Sequence, residues 1–179
     1  MATRRAEPPH GLLDPDRDAP DPGGLRRVLG HFATGVALVT GLDAGKPVGL
    51  LVNSFTSVSL EPPLIAFCVA HTSSSWPRLR AGGRHCVSFL AADQREQAHR
   101  LAASGDAKFR GLAWSPSPSG LPLPDGALAW LECAVEAEHP AGDHVIVVAR
   151  VHRMGRSGAV PHPGPLVFYR GGYGRFTTE

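Results

Sequence analysis

Residues 48–76 most restrict how this chain can fold; they read VGLLVNSFTSVSLEPPLIAFCVAHTSSSW. Over residues 53–60 small hydroxyl side chains mix with apolar ones, which is typical of a strand that is half-buried or lines a cleft. Pro62-Pro63 ends this strand because proline has no N–H for a sheet ladder. Residues 64–70 are almost wholly apolar, as in a strand covered on both faces. We therefore expect a mostly β protein organised around this pair of strands.

A run of hydroxyl side chains follows the apolar strand. His71-Thr72-Ser73-Ser74-Ser75 precedes Trp76-Pro77, which predicts a helix from Trp76 to Gly82 because serine is a favoured N-cap and proline is tolerated in the first turn. Backbone N–H groups and hydroxyls together also suit a phosphate. The pattern leaves open whether these serines only cap the helix or bind a phosphate as well.

The flanking segments predict further short elements. Residues 1–23 alternate prolines with charges and predict a disordered arm, so the folded domain is expected over residues 24–179. Apolar residues at i, i+3, i+4 and i+7 predict one face of a helix that ends near Thr34-Gly35 and covers a sheet. These four residues are Leu25, Val28, Leu29 and Phe32.

Short apolar runs separated by turn residues predict the remaining strands. One hairpin is expected from residues 36–40 and the run beginning at Val48, joined by a turn over residues 41–47. A second is expected from residues 127–138 and 144–153, joined by residues 139–143. Single strands are expected at 85–90 and at 166–169, the latter the last of the chain. Asp93 and Glu96 resemble a capping box for a helix that runs to about 104–105. The proline-rich residues 115–126 predict a long connection, either a lid or a surface bracket.

Composition excludes several classes of function. The net charge of +2 gives no case for a nucleic-acid or membrane-surface partner. No apolar run approaches the roughly 18 residues that span a bilayer, and the N-terminus lacks the apolar core of a signal peptide. Three cysteines, each in an apolar run, are too few for a disulfide framework, which favours buried reduced thiols in a soluble cytoplasmic protein.

The common catalytic and metal motifs are missing. The sequence holds no G-x-G-x-x-G, no P-loop, no G-x-S-x-G and no H-E-x-x-H, which argues against a Rossmann dehydrogenase, a P-loop nucleotidase, an α/β-hydrolase and a zincin. Its cysteines lack the paired spacing of a zinc site, so no metal is expected. Lys108 could be a solvated surface lysine or reach a phosphate. His144, in Gly142-Asp143-His144, could be a turn residue or serve acid–base or ligand chemistry.

Four motifs occur together and in order along the chain: HFATGVALVT at residues 31–40, NSFTSVSLEPPL at 53–64, GDH at 142–144 and YRGGY at 169–173. With this combination the chain resembles the short-chain flavin reductase family, the reductase components of two-component flavin-dependent monooxygenases, over about residues 25–176. The resemblance implies an FMN-binding split β-barrel with a few short helices. It also implies a homodimer that passes a hydride from NADH or NADPH to FMN or FAD and releases the reduced flavin to a separate monooxygenase.

The resemblance also implies roles for particular residues. Those expected to border the flavin ring are Asn53, Ser54, Phe55 and Thr56, with Cys68, Val69 and Ala70 lining the same pocket. Those expected to hold the flavin phosphate are Ser73, Ser74 and Ser75, closed over by Lys108 and Phe109. Those expected to face the nicotinamide are Tyr169, Arg170, Gly171, Tyr173 and His144, which is also expected to orient or polarise the reacting groups as the catalytic residue.

Two features depart from the family pattern and leave questions open. The N-terminal arm is not needed by a reductase core, and Gly171-Gly172 is less basic than the tails of some relatives, so the sequence does not choose between NADH and NADPH or between FMN and FAD. One alternative is a split-barrel flavoprotein that keeps its FMN and acts on a small organic substrate. Another is a flavin-binding protein without catalysis.

Overall fold

The computed structural model describes residues 21–103, 106–109, 111–158 and 163–177. Over these residues the α-helices are α1 (Pro22–Leu29), α2 (Trp76–Gly82) and α3 (Arg95–Ala102), with short 3-10 segments at Ala92–Gln94 and Asp106–Phe109. The strands are β1 (Thr34–Gly35), β2 (Ala37–Asp43), β3 (Lys46–Val52), β4 (Thr56–Leu60), β5 (Pro63–Ala70), β6 (Arg84–Phe89), β7 (Trp114–Pro116), β8 (Pro122–Pro124), β9 (Ala129–Ala141), β10 (His144–Arg156), β11 (Leu166–Tyr169) and β12 (Gly172–Arg175).

One antiparallel sheet dominates the fold and confirms the mostly β prediction. Its seven strands lie in the order β3-β2-β6-β9-β10-β5-β4. β3, at one edge, also contacts β5 near the other edge, so the sheet curls toward a barrel. A smaller sheet has the order β1-β11-β12, and β7 pairs with β8 alone. None of the helices in the described ranges is long and apolar enough to cross a bilayer.

Both predicted hairpins are present, with tighter turns than expected. β2 and β3 meet at Ala44-Gly45, where φ is 49° and 77°, the left-handed backbone of a two-residue hairpin turn. β9 and β10 meet at Gly142-Asp143, because Ala141 pairs with His144. α2 spans the predicted residues, whereas the strand predicted from residue 53 begins only at Thr56, and β12 follows the strand expected to be last.

The connection predicted over residues 115–126 is a hairpin, neither a lid nor a bracket. β7 and β8 pair there, and the turn between them is held by the buried carboxylate of Glu132 on β9. This carboxylate accepts hydrogen bonds from Ser117 Oγ at 2.5 Å, Ser119 N at 2.7 Å and Ser119 Oγ at 2.6 Å. Burial alone would raise the pKa of Glu132, but these bonds outweigh it and hold the pKa below its usual range.

Two clusters of buried side chains form the core. The larger fills the curled sheet, with Phe67 and Val39 fully buried and Trp76 and Leu79 of α2 packed onto it. The smaller lies under α3 and includes Leu38, Leu101 and Leu166. Each fully buried side chain of this size contributes roughly 1.5–3 kcal/mol to folding.

The start of α3 differs from prediction: Gln94 Oε1, rather than Asp93, accepts a hydrogen bond of 2.8 Å from Ala91 N. The helix ends at Ala102.

The predicted role of the first helix is wrong. α1 includes the last two residues of the predicted arm, is capped by Asp21, and ends at Leu29 rather than near Thr34-Gly35, which form β1. Its predicted apolar face does not cover a sheet. The four side chains there are exposed: Leu25 at 48%, Val28 at 68%, Leu29 at 61% and Phe32 at 76%.

Glycine lets the end of α1 approach the β11–β12 turn closely. Arg170 N, in the turn between β11 and β12, donates a hydrogen bond of 2.9 Å to Gly30 O. A Cβ at Gly30 would lie 3.5 Å from Arg170 Cα, so the two backbones approach closely where there is no side chain. Residues 1–20, the rest of the predicted arm, lie outside the described residues.

Candidate functional site

A cleft runs between β3, the end of β5 and the end of α3. It consists of two adjoining cavities of about 370 Å³ and 220 Å³ that share residues 50–53, Ala102 and Lys108. The larger cavity is polar at one end, where residues 72–75 and His144 line it. The smaller is lined mainly by apolar groups, including Phe168 and Tyr173. Such a cleft can take an extended ligand with one ionic and one aromatic part.

The serine cluster divides its hydroxyls between two roles. Ser73 Oγ accepts a hydrogen bond of 3.2 Å from Trp76 N, so Ser73 caps α2. Ser75, at the N-cap position, makes no side-chain capping bond, and its Oγ accepts a bond of 3.3 Å from Lys108 Nζ. Ser74 is exposed beside them at the cavity edge. Capping therefore uses one of the three serines and leaves the other two hydroxyls for the cleft.

Lys108 is positioned by its neighbour in the chain. Phe109 packs on the bare backbone of β3 at Gly49, where a Cβ would lie 2.6 Å from the Phe109 ring. This contact fixes the 3-10 segment and places Lys108 between the two cavities. Partial burial lowers the pKa of the Lys108 ammonium because desolvation disfavours the charged form. An anion in the cleft would offset that cost.

Ser54 joins the segment before β4 to β5. Its Oγ accepts a hydrogen bond of 2.8 Å from Cys68 N and donates one of 3.3 Å to Cys68 O. The bend at Asn53-Ser54 is thereby held at the cleft, where Asn53 is exposed and Cys68, Val69 and Ala70 form the adjacent wall.

The three cysteines are all free, but only two are buried. Burial raises the pKa of Cys86 to about 11 and that of Cys133 to about 12, so both are unreactive thiols at neutral pH. The prediction of burial is wrong for Cys68, which is half-buried because it borders the cleft. Among the described residues, no group of three or more His, Cys, Asp or Glu side chains could hold a metal ion.

His144 enters the cleft from the turn between β9 and β10. It pairs with Ala70 of β5 and lines the larger cavity. Its Nδ1 lies 2.7 Å from Asp143 Oδ1, and this hydrogen bond holds the pKa of the exposed Asp143 below its usual value. With Nδ1 engaged, Nε2 is the ring nitrogen left for a ligand.

The structure brings most of the predicted site residues to the cleft. Those that line it are Asn53, Ser54, Cys68, Val69, Ala70, Ser73, Ser74, Ser75, Lys108, His144 and Tyr173. Six others do not. Phe109 supports Lys108 from behind, Thr56 begins β4, and Phe55 packs edge-on against Phe89 at 4.9 Å. Tyr169 meets the ring of His31 at 6.1 Å, and Arg170 and Gly171 form the turn beside α1.

Several cleft residues were not predicted. They are Leu50, Leu51, Val52, Thr72, Ala102, Ala103 and Phe168. Leu50 to Val52 lie directly before Asn53 on β3, and Phe168 is the register partner of Tyr173. Adjacency to a predicted site residue was therefore the available signal for these. Ala102 and Ala103 reach the cleft only through the packing of α3, which has no local signature in the sequence.

The chain is similar in sequence and in fold to known proteins. Residues 29–177 match the family described as flavin reductase like domain. The chain is 41% identical over 156 residues to the flavin-dependent monooxygenase, reductase subunit HsaB, of Rhodococcus jostii (87% of this chain, 78% of that protein). It is 42% identical over 161 residues to a flavin reductase of Pseudomonas putida (89% and 93%). Its fold is similar to the structure of the Streptomyces globisporus NADH:FAD oxidoreductase SgcE6 in complex with NAD and FAD fragments, with TM-score 0.82, 37% identity and coverage of 94% and 98%.

Proposed function

Because this chain belongs to the flavin reductase like domain family and is an NAD(P)H-dependent flavin reductase with a split-barrel fold, we propose that it reduces FMN or FAD in the cleft described above. The reduced flavin then leaves for a separate monooxygenase. One observation carries the assignment of the site: Lys108 Nζ and Ser75 Oγ meet at 3.3 Å at the junction of a polar and an apolar cavity.

The residues present fit a flavin. Hydroxyl groups and an ammonium are the donors that suit a phosphate, so Ser73, Ser74, Ser75 and Lys108 would hold the phosphate end. Asn53, Ser54 and the wall at residues 68–70 would border the ring. Phe55, Thr56 and Phe109 lie outside the cleft, where Phe109 supports Lys108 from behind.

A bound flavin would supply the redox chemistry by accepting a hydride from the reduced nicotinamide. The chain itself contributes alignment and exclusion of water. His144 is assigned an orienting or polarising role through Nε2, with Asp143 fixing the ring through Nδ1. Tyr173 is assigned to the nicotinamide side, since it lines the apolar cavity next to Phe168.

We further propose that two copies of the chain associate. The support is the exposed face of α1 formed by Leu25, Val28, Leu29 and Phe32, because contiguous apolar surface on a folded protein usually marks an interface. Val28→Glu should shift the protein toward monomer in sedimentation at micromolar concentration, whereas Met154→Glu, at another exposed apolar residue, should not. A wild-type protein that sediments as a monomer contradicts this proposal.

Steady-state kinetics with NADH and NADPH against FMN, FAD and riboflavin test the function. Nicotinamide oxidation that saturates with added free flavin is expected. Riboflavin has no phosphate, so Lys108→Met should raise KM for FMN by roughly ten- to 150-fold, from the 1.5–3 kcal/mol of a charged hydrogen bond, and leave KM for riboflavin unchanged. Equal effects on both flavins would remove the phosphate assignment.

The same experiment separates the two alternatives. Stoichiometric flavin that copurifies with the protein, together with turnover that needs no added flavin, favours a flavoprotein with a resident cofactor. Absence of nicotinamide oxidation with every flavin favours a binding protein and contradicts the reductase assignment.

A further inference from the structure

A small polar cavity lies outside the cleft, between strands β6, β9 and β10 and the turn that joins β7 to β8. Its volume is about 200 Å³, less than that of either part of the cleft. The polar residues that line it are Arg84 on β6, Glu132 on β9, His152 and Arg153 on β10, and Ser119 in the turn. A cavity of this size takes a small ion rather than a nucleotide. We call it the bulge pocket, because β10 carries a β-bulge at its edge.

The β-bulge brings two consecutive side chains of β10 to the bulge pocket. Val151 pairs with Cys133 and Arg153 pairs with Glu132, so His152 is an extra residue without a register partner on β9. In a regular strand, neighbouring side chains point to opposite faces of the sheet, yet His152 and Arg153 both line this pocket. A bulge re-aims side chains in this way. It therefore places an imidazole and a guanidinium at one small cavity.

The two guanidinium groups of the bulge pocket have N–H donors left for a ligand. Among the residues that the structure describes, Arg84 forms no ion pair with a carboxylate. Arg153 Nε lies 4.0 Å from Glu132 Oε2, which is too long for a hydrogen bond. Arginine binds oxyanions through paired N–H donors. With one carboxylate against two guanidinium groups, the lining carries a net positive charge that favours an anion.

The carboxylate of Glu132 can still accept one hydrogen bond. It accepts three, from Ser117 Oγ, Ser119 N and Ser119 Oγ, whereas an ionised carboxylate has about four lone-pair sites. Burial raises the pKa of Glu132 and these three bonds lower it, so that the pKa lies below its usual range. Glu132 is therefore ionised at neutral pH and acts only as an acceptor. A ligand in the bulge pocket meets arginine donors on two sides and one acceptor.

We propose that the bulge pocket binds inorganic phosphate in a form that carries a proton. Arg84 and Arg153 donate to its unprotonated oxygens, His152 adds a ring N–H, and Glu132 accepts the hydrogen bond from the P–OH group. Inorganic phosphate keeps one proton at pH 8. A phosphate monoester, whose second pKa is about 6, and sulfate have none there, so Glu132 would repel both. The bulge pocket is separate from the cleft, and the proposal does not rest on the reductase function.

Isothermal titration calorimetry at pH 8 and constant ionic strength tests the site. The background is Lys108→Met, in which the cleft lacks its ammonium. One phosphate ion per chain is expected, and sulfate and methyl phosphate should each bind at least about tenfold more weakly. Arg84→Gln and Arg153→Gln should each raise Kd for phosphate at least about tenfold, as for the loss of a charged hydrogen bond. Arg156→Gln removes an exposed charge of β10 outside the pocket and should leave Kd unchanged.

Thermal unfolding gives a second measurement in the same background. An ion that binds only the folded chain should raise Tm by roughly 3–6 °C at ten times its Kd, and Arg84→Gln should abolish this shift at the same concentration. Absence of phosphate binding, or binding that Arg84→Gln and Arg153→Gln leave unchanged, overturns the bulge pocket as a phosphate site. Equal affinity for phosphate, sulfate and methyl phosphate overturns it as well, because Glu132 would then accept no proton. An equal loss in Arg156→Gln would mean that charge alone attracts the anion, which also contradicts the proposal.

Discussion

Acidification should destabilise this protein through His85. This residue lies on β6 and is fully buried. Neither of its ring nitrogens has a hydrogen-bond partner among the described residues. Its ring packs against Trp76 of α2 with the ring centres 5.6 Å apart. Burial lowers the pKa of His85 from 6.5 to about 4, because desolvation disfavours the protonated, charged imidazole.

The sign follows from which state binds more protons. Between pH 6.5 and pH 4 the unfolded chain protonates this histidine while the folded protein does not, so the free energy of unfolding falls as the pH falls. With these two pKa values, the loss is about 2 kcal/mol at pH 5 and approaches about 3 kcal/mol well below pH 4, at about 1.36 kcal/mol per pKa unit. For a chain of this length, 2 kcal/mol corresponds to a fall in Tm of roughly 4–8 °C.

Urea unfolding at pH 7 and pH 5 measures this effect in the wild type and in His85→Leu. Leucine has a similar volume and does not titrate, so the variant should lose about 2 kcal/mol less stability between the two pH values than the wild type. His139→Gln changes an exposed histidine on β9 and should follow the wild-type curve. If wild type and His85→Leu lose the same stability, burial of His85 is not the cause of acid sensitivity.

Three further substitutions test other contacts. Gly49→Ala would place a Cβ 2.6 Å from the Phe109 ring. Because Phe109 would have to move and would displace Lys108, KM for FMN should rise severalfold in steady-state assays. An unchanged KM would contradict the support that Phe109 gives to Lys108. Ser117→Ala removes one of the hydrogen bonds to buried Glu132 and should lower the free energy of unfolding in urea by about 1–3 kcal/mol. Ser115→Ala, which removes an exposed hydrogen bond to Asp125, should lower it far less. Equal losses of stability in the two variants would refute the anchoring role of Glu132. His144→Ala should reduce kcat/KM for NADH by about tenfold, equivalent to about 1.4 kcal/mol of transition-state stabilisation; full turnover with unchanged nicotinamide affinity would remove its orienting role.

The sequence predicted the elements whose pattern is local. The apolar run of β5, the serine cap and proline of α2, and the turn residues of both hairpins each specify their structure within a few neighbours. The failures have a different origin. The spacing of Leu25, Val28, Leu29 and Phe32 identifies an apolar helix face, but it does not say whether that face meets the same chain.

The site shows the same division between local and long-range information. The serines were recognisable from their local pattern and His144 from its GDH motif, whereas Lys108 was assigned only through the family resemblance. All of them line the cleft. Ala102 and Phe168 carry no chemical signal, and only the packing of α3 and the pairing of β11 with β12 bring them there. Proline-rich residues 115–126 indicated a loop because proline weakens a ladder, yet the side-chain bonds of Glu132 hold a short hairpin despite it.

α1 buries none of its side chains, and a backbone hydrogen bond to the β11–β12 turn helps to hold its end. Its position is therefore weakly determined by the chain to which it belongs. A partner on the apolar face would restrain these eight residues, and a nicotinamide in the cleft beside Tyr173 would restrain the β11–β12 hairpin that holds them. By thermodynamic linkage, the factor by which the partner changes the affinity for nicotinamide equals the factor by which nicotinamide changes the affinity for the partner. Nicotinamide affinity and self-association should then rise and fall together, so dilution of the enzyme would raise its apparent KM for NADH.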